Sequence, residues 1–136
     1  MQVRIANRQD EKAIRELAEA FSSTENASFD LKGRDRDLVN IEANYFGKEG
    51  LFLVVEADGE LKGFAGARSK DEETLSIERF RSSLIEAEEE MLKVIVGFAP
   101  RLLYSGIECG DNVHIRPELL QQFGFSGDKA TVTPDF

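Results

Sequence analysis

The sequence predicts an α/β domain built on a mixed, mostly antiparallel sheet with helices on both faces. Three observations predict it. The stretch LFLVVEADGELKGFAGA (51 to 67) reads as two strands around an Asp58-Gly59 turn, because Asp-Gly supplies the positive φ angles that a two-residue hairpin needs. In the first of these strands Leu51, Leu53 and Val55 alternate with Phe52 and Val54, so both faces are apolar and the strand is central. A helical stripe of Leu84, Ala87, Met91, Ile95 and Phe98 then lies between two strand-like segments, which is the crossover that parallel neighbours require.

The elements follow in order. Val3 to Ala6 reads as a short strand, and Asn7 with Asp10 three residues on caps a helix whose buried stripe is Ile14, Leu17, Ala18 and Phe21. SSTENASFDLKGRD (22 to 35) is polar and reads as a solvated connection rather than a substrate lip. Leu38, Ile41 and Tyr45 mark a second helix that stops near Gly47. After the hairpin, where Gly63 and Gly66 mark a close approach or a bulge, TLSIERFRS (74 to 82) reads as a fourth strand. Strict alternation puts Leu75 and Ile77 on one face and Ser76, Glu78 and Phe80 on the other. Ser83 is the expected cap of the next helix, with Glu86 as its capping-box partner and Pro100 as its end. RLLYSGIEC (101 to 109) is a fifth strand, Pro117 opens a short helix carrying Leu119, Leu120 and Phe123, and KATVT (129 to 133) is the last strand.

Length and charge bound the function. A chain of 136 residues fits a single domain, 1-136, around one core. Its net charge of −9 repels phosphate backbones and anionic headgroups, so neither nucleic acid nor a membrane surface is an expected partner. Cys109 is the only cysteine and His114 the only histidine, which argues against a disulfide framework and against a metal site. Neither a signal peptide nor a membrane-spanning run is visible, and a reducing cytoplasm is the expected compartment. A homodimer is compatible with the chain.

The order strand, two helices, three antiparallel strands, helix, strand, helix, strand resembles the GNAT superfamily of N-acyltransferases. VRIANRQDEKAIREL is similar to the opening of that family, LVVEADGELKGFAGA to its central hairpin, and LLQQFGF (119 to 125) to its closing helix. The resemblance implies that the fourth and fifth strands run parallel and splay apart, that acetyl-coenzyme A enters the gap, and that an acyl group passes from the thioester to a small-molecule or protein amine. It places Glu78 as the carboxylate that takes the amine's proton, and Tyr104 as a substitute acid for the departing thiolate, since the family's usual tyrosine position is here Leu120. Phe80, Ser82, Ser83 and Asn112 are the positions it sets along the cofactor, with Cys109 also expected around the cleft.

One departure bears on activity. The family's pyrophosphate motif, Arg/Gln-x-x-Gly-x-Gly/Ala, belongs between the fourth strand and the next helix, yet there is no glycine between Gly66 and Gly97. The connection is two serines long, and Glu86, Glu88, Glu89 and Glu90 crowd the helix start, where they favour the helix dipole and oppose an anionic ligand. Arg79 and Arg81 are expected to pair with these glutamates. The reading is therefore an N-acetyltransferase-like protein with a degenerate acetyl-coenzyme A loop and weak or lost transfer; the alternative is a noncatalytic binding or interaction module.

Overall fold

A computed structural model describes residues 1–136. Six strands form one sheet in the order of the chain: β1 (Gln2–Ile5), β2 (Leu51–Ala57), β3 (Glu60–Ser69), β4 (Thr74–Ser82), β5 (Gly106–Cys109) and β6 (Lys129–Thr131). Every neighbouring pair is antiparallel except β4 and β5, which are parallel and joined through α3 (Glu86–Arg101). α1 (Glu11–Thr24) and the short α2 (Ile41–Asn44) cover one face, and α3 with α4 (Pro117–Gln122) covers the other.

Two cores result, one on each face. Ile14, Ala18, Leu38, Ile41 and Tyr45 pack on Phe52, Val54 and Phe64. Met91, Leu92, Ile95, Leu119 and Leu120 pack with Leu51, Leu53, Val55, Leu75 and Ile77 on the opposite side. The alternation along β2 thus feeds both cores, as a central strand must. Asp58 and Gly59 have φ of 54° and 77°, the two left-handed positions of a type I′ hairpin turn. At Gly66 a Cβ would come within 2.7 Å of the Phe52 and Tyr45 rings, so the bare backbone lets an aromatic layer close over β3.

The register of β3 against β4 slips at one place. Gly66 pairs with Arg79 but Ala67 pairs with Ile77, leaving Glu78 as an extra residue in β4. Such a bulge reverses the side-chain alternation beyond it. Phe80 consequently joins Leu75 and Ile77 in the α3-side core, rather than sharing a face with Ser76 and Glu78. Arg79 and Arg81 turn to the α1 side instead.

Other boundaries move for local reasons. The Leu38–Ile41–Tyr45 stripe is buried as expected, but Asn40 breaks its helix: the Asn40 side chain accepts the Ala43 N–H, so the segment becomes a 3-10 turn over Arg36–Leu38, then α2, then a 3-10 turn over Phe46–Lys48. The Asn7–Asp10 capping box is present and opens a 3-10 turn ahead of α1. At the start of α3, Ser82 rather than Ser83 accepts the Leu84 N–H, at 3.0 Å, and Glu86 is the first helical residue instead of a capping partner. α3 runs past Pro100 to Arg101, and residues through Ser105 close the helix, with Leu103 at φ 67°, so β5 begins only at Gly106. β6 ends at Thr131, two residues short of the expected limit.

Candidate functional site

The β4/β5 ladder ends where the Gly110 N–H donates to the Ile77 carbonyl at 2.7 Å. Beyond that rung β4 continues to Ser82 while the segment after β5 turns away through Gly110 and Asn112. The two part into a cleft of about 660 Å³. Its floor is β4 from Glu78 to Ser82, one wall is the end of α1 with the following connection, and the other rim carries Asn112, His114 and Glu88.

Arg79 organises the α1-side wall. Its guanidinium donates through Nε (3.0 Å) and Nη2 (2.6 Å) to the two oxygens of Asp37, and Nη1 lies 3.0 Å from an Asp35 oxygen. The Tyr45 hydroxyl donates to Asp37 as well, and Asp35 accepts the Asp30 N–H at 2.9 Å. Burial raises the pKa of Asp37, but the hydrogen bonds and charge of Arg79 outweigh it, and the carboxyl is held below its usual range. Burial and the Asp37 charge push the Tyr45 phenol up. The connection read as a solvated loop is in fact pinned to the sheet by this network. Neither strand arginine pairs with the α3 glutamates: Arg79 takes Asp35 and Asp37, and Arg81 takes Glu25 while lying 4.7 Å over the Phe21 ring.

Glu78, the bulged residue, faces the cleft with its side chain 33% exposed. Arg68 Nε is 3.6 Å away, an ion pair too long to be a hydrogen bond, and no protein donor bonds the Glu78 carboxylate. The room it uses depends on Gly110, where a Cβ would fall 2.3 Å from Glu78 Oε2. Among the residues expected around the gap, Phe80, Ser82 and Asn112 line it with Glu78, Phe80 being 8% exposed at the edge of the core. Three others lie elsewhere. Ser83 is tied by its N–H and hydroxyl to the Lys62 carbonyl, at 2.8 and 3.1 Å. Tyr104 is 1% exposed and donates to the Glu49 carbonyl at 2.9 Å, with burial raising its pKa, so no phenol reaches the cleft from that position. Cys109 packs on the α3-side core, where burial pushes its thiol up to about 11.

Sequence reasoning missed Phe21, Glu25, Asp35, Asp37 and Arg68. The signal was present only as a pair of aspartates two residues apart within DRDL, which acquires meaning once the β4 bulge points Arg79 at them.

The turn from β4 into α3 is poor in free donors. The Ser83 N–H goes to Lys62, the Leu84 N–H to Ser82 Oγ, and those of Ala87 and Glu88 to the Leu84 and Ile85 carbonyls. The N–H groups of Ile85 and Glu86 make no turn or cap hydrogen bond to the protein backbone. No group of three or more His, Cys, Asp or Glu side chains is placed to hold a metal ion, and no helix is long and apolar enough to cross a membrane. A separate depression of about 720 Å³ on the outer face of α1 and α2 is remote from β4, and its Arg8 and Arg15 are paired with Glu42 and Glu11.

This architecture is that of the GNAT acetyltransferases. A GNAT-family acetyltransferase from Staphylococcus aureus superposes with a TM-score of 0.71 at 18% identity, over 80% of this chain and 72% of its own. An acetyltransferase from Streptococcus agalactiae gives 0.69 at 14%, over 89% and 79%. An acetyltransferase-like structure from Salmonella typhimurium, described with its cofactor acetyl-CoA, gives 0.63 at 20%, over 81% and 69%. No protein-family model matches the sequence, and no curated protein matches it. The chain has the GNAT fold.

Proposed function

We propose that this chain is an N-acetyltransferase-like protein of the GNAT fold whose contact with acetyl-CoA is degenerate, so that acyl transfer to an amine is weak or lost. The observation that carries this reading is the Ser82–Glu86 turn. Holding a pyrophosphate takes several convergent backbone donors, and here Ser83 and Leu84 have spent theirs on Lys62 and Ser82. Glu86, Glu88 and Glu89 in the first turn of α3 add charge of the wrong sign. The β4/β5 gap suits the slender arm of an acyl-CoA, but this turn does not suit its pyrophosphate.

The cleft itself is intact, and Glu78 supports a role toward amines. Its carboxylate is open to the cleft and free of protein donors, as a group that takes an ammonium or its proton must be. The acceptor class is a small-molecule or protein amine, by analogy with a similar fold described as an aminoglycoside 6'-N-acetyltransferase. A noncatalytic binding module on the same fold is the second reading, favoured by the coexistence of an intact cleft and an occupied cofactor turn. In both readings the chain acts as a single domain in the cytoplasm, with neither nucleic acid nor membrane as partner, in keeping with its net charge of −9 and lone Cys109.

Thermal unfolding with about 1 mM acetyl-CoA tests the proposal. A ligand at about one hundred times its Kd stabilises by about 2.7 kcal/mol and raises Tm by several degrees. No such shift is expected. A rise of that size would overturn the proposal in favour of an efficient acetyltransferase.

A further inference from the structure

Two of the cleft's ion pairs differ from the rest. Arg68–Glu78 and Arg81–Glu25 are both partly exposed, whereas Arg79 between them is saturated by buried carboxylates. Exposed pairs contribute little and exchange partners readily. The Glu78 carboxylate has no protein hydrogen bond to give up. Arg81 lies over the Phe21 ring, a contact to its face that leaves the N–H donors of its guanidinium able to receive an anion in place of Glu25. Because of the bulge, Glu78 and Arg81 stand on the same α1-facing side of β4, three residues apart, which is roughly 10 Å along the backbone of the strand.

We infer that the cleft takes a short zwitterion, its primary ammonium on Glu78 and its carboxylate on Arg81, with a separation of about the length of a tripeptide. This inference rests on the amine-binding role of Glu78 proposed above. An anion alone meets the field of a molecule with net charge −9, and an amine alone leaves Arg81 and Glu25 as they are; a zwitterion replaces one partner in each exposed pair and brings no net charge. A tripeptide spans about 10 Å when extended, which matches the separation along the strand.

Calorimetric titration with triglycine, triglycine amide and N-acetyl-triglycine, without acetyl-CoA, provides the test. Triglycine is expected to bind, and each blocked form to bind about tenfold more weakly, the loss of one charge-assisted contact. Arg81→Gln should erase the difference between triglycine and its amide while keeping the preference for a free amino group; Glu78→Gln should do the reverse. Glu25→Gln removes the competitor for Arg81 and should tighten triglycine by about threefold, a readout that stands even if Arg81→Gln does not fold. Absence of triglycine binding at about 20 mM overturns the inference. Equal affinity for triglycine and its amide also overturns it while leaving Glu78 as an amine site. Tight acetyl-CoA binding, by contrast, defeats the closed-turn proposal and leaves this titration unaffected.

Discussion

Glu78 and Arg79 are neighbours on one β-bulge, yet their surroundings are opposite. Arg79 is 18% exposed, with hydrogen bonds or ion pairs to Asp35, Asp37 and the Arg34 carbonyl, while Glu78 is 33% exposed and accepts no hydrogen bond from the protein. The extra residue makes this division, because it lets two successive side chains leave the same face of the strand at different angles. One charge is spent on holding the α1–α2 connection to the sheet. The other is kept available at the mouth of the β4/β5 gap.

The largest expected effect breaks the saturated side. Arg79→Met leaves the buried Asp35 with the exposed Arg34 as its remaining ion pair and the partly buried Asp37 with the Tyr45 hydroxyl, and should cost about 3 kcal/mol in a urea unfolding series. A loss within about 0.5 kcal/mol, the range of ordinary surface substitutions, would mean that the network is not what holds the connection.

The same side sets a pH dependence. Asp37 has a folded pKa below its unfolded value, since the bonds from Arg79 outweigh the opposing effect of burial. Its contribution is complete above the unfolded carboxylate value of about 3.9 and is lost as pH falls below that through the folded pKa. Unfolding midpoints measured from pH 6 downward should therefore drop below about pH 4, and Asp37→Asn should flatten part of that drop. An unchanged slope in the variant would remove Asp37 as its source.

On the open side the effects are smaller. Gly110→Ala introduces a methyl 2.3 Å from Glu78 Oε2 and 3.0 Å from the Ile77 carbonyl, and should cost about 1 to 3 kcal/mol as overpacking. In a Glu78→Ala background most of that cost should vanish, giving a coupling of about 1 kcal/mol in a double-mutant cycle. Additive costs would show that Gly110 is needed by the backbone and not by the carboxylate. Glu78→Gln alone should change stability by no more than about 0.5 kcal/mol, since all it loses is the partly exposed ion pair with Arg68, and should alter the pH dependence of any amine acetylation that the protein retains.

What was legible in the sequence divides along a similar line. The Asp58-Gly59 hairpin, the two-faced β2 and the α3 crossover are encoded by neighbours in the chain, and the mixed sheet with helices on both faces follows from them. Glu78, Ser82 and Asn112 at the cleft were legible because the parallel β4/β5 pair fixes where two strands part. The bulge was not. Alternation read with period two places Phe80 beside Glu78, and nothing local in TLSIERFRS announces the one-residue slip that sends Phe80 to the core and Arg79 to Asp37. The cap of α3 shifted by one serine for a similar reason, since the Ser83 N–H and hydroxyl are claimed by Lys62 on a different strand. Tyr104 was misplaced because the closing turn of α3 takes it out of β5 and into the core, and Cys109 because it shares the core-facing side of β5 with Ile107, two residues before it.

On the proposed function, the β4-to-α3 turn does not receive a pyrophosphate. Its most direct test is a calorimetric comparison of acetyl-CoA with S-acetylpantetheine, which carries the same acyl arm without the pyrophosphate and nucleotide. With the Ser83 and Leu84 donors engaged and glutamates ahead of them, the two should bind equally weakly, within about threefold. Acetyl-CoA binding in the low micromolar range, and about a hundredfold or more tighter than the truncated arm, would show that the turn holds the phosphates after all and contradict the account.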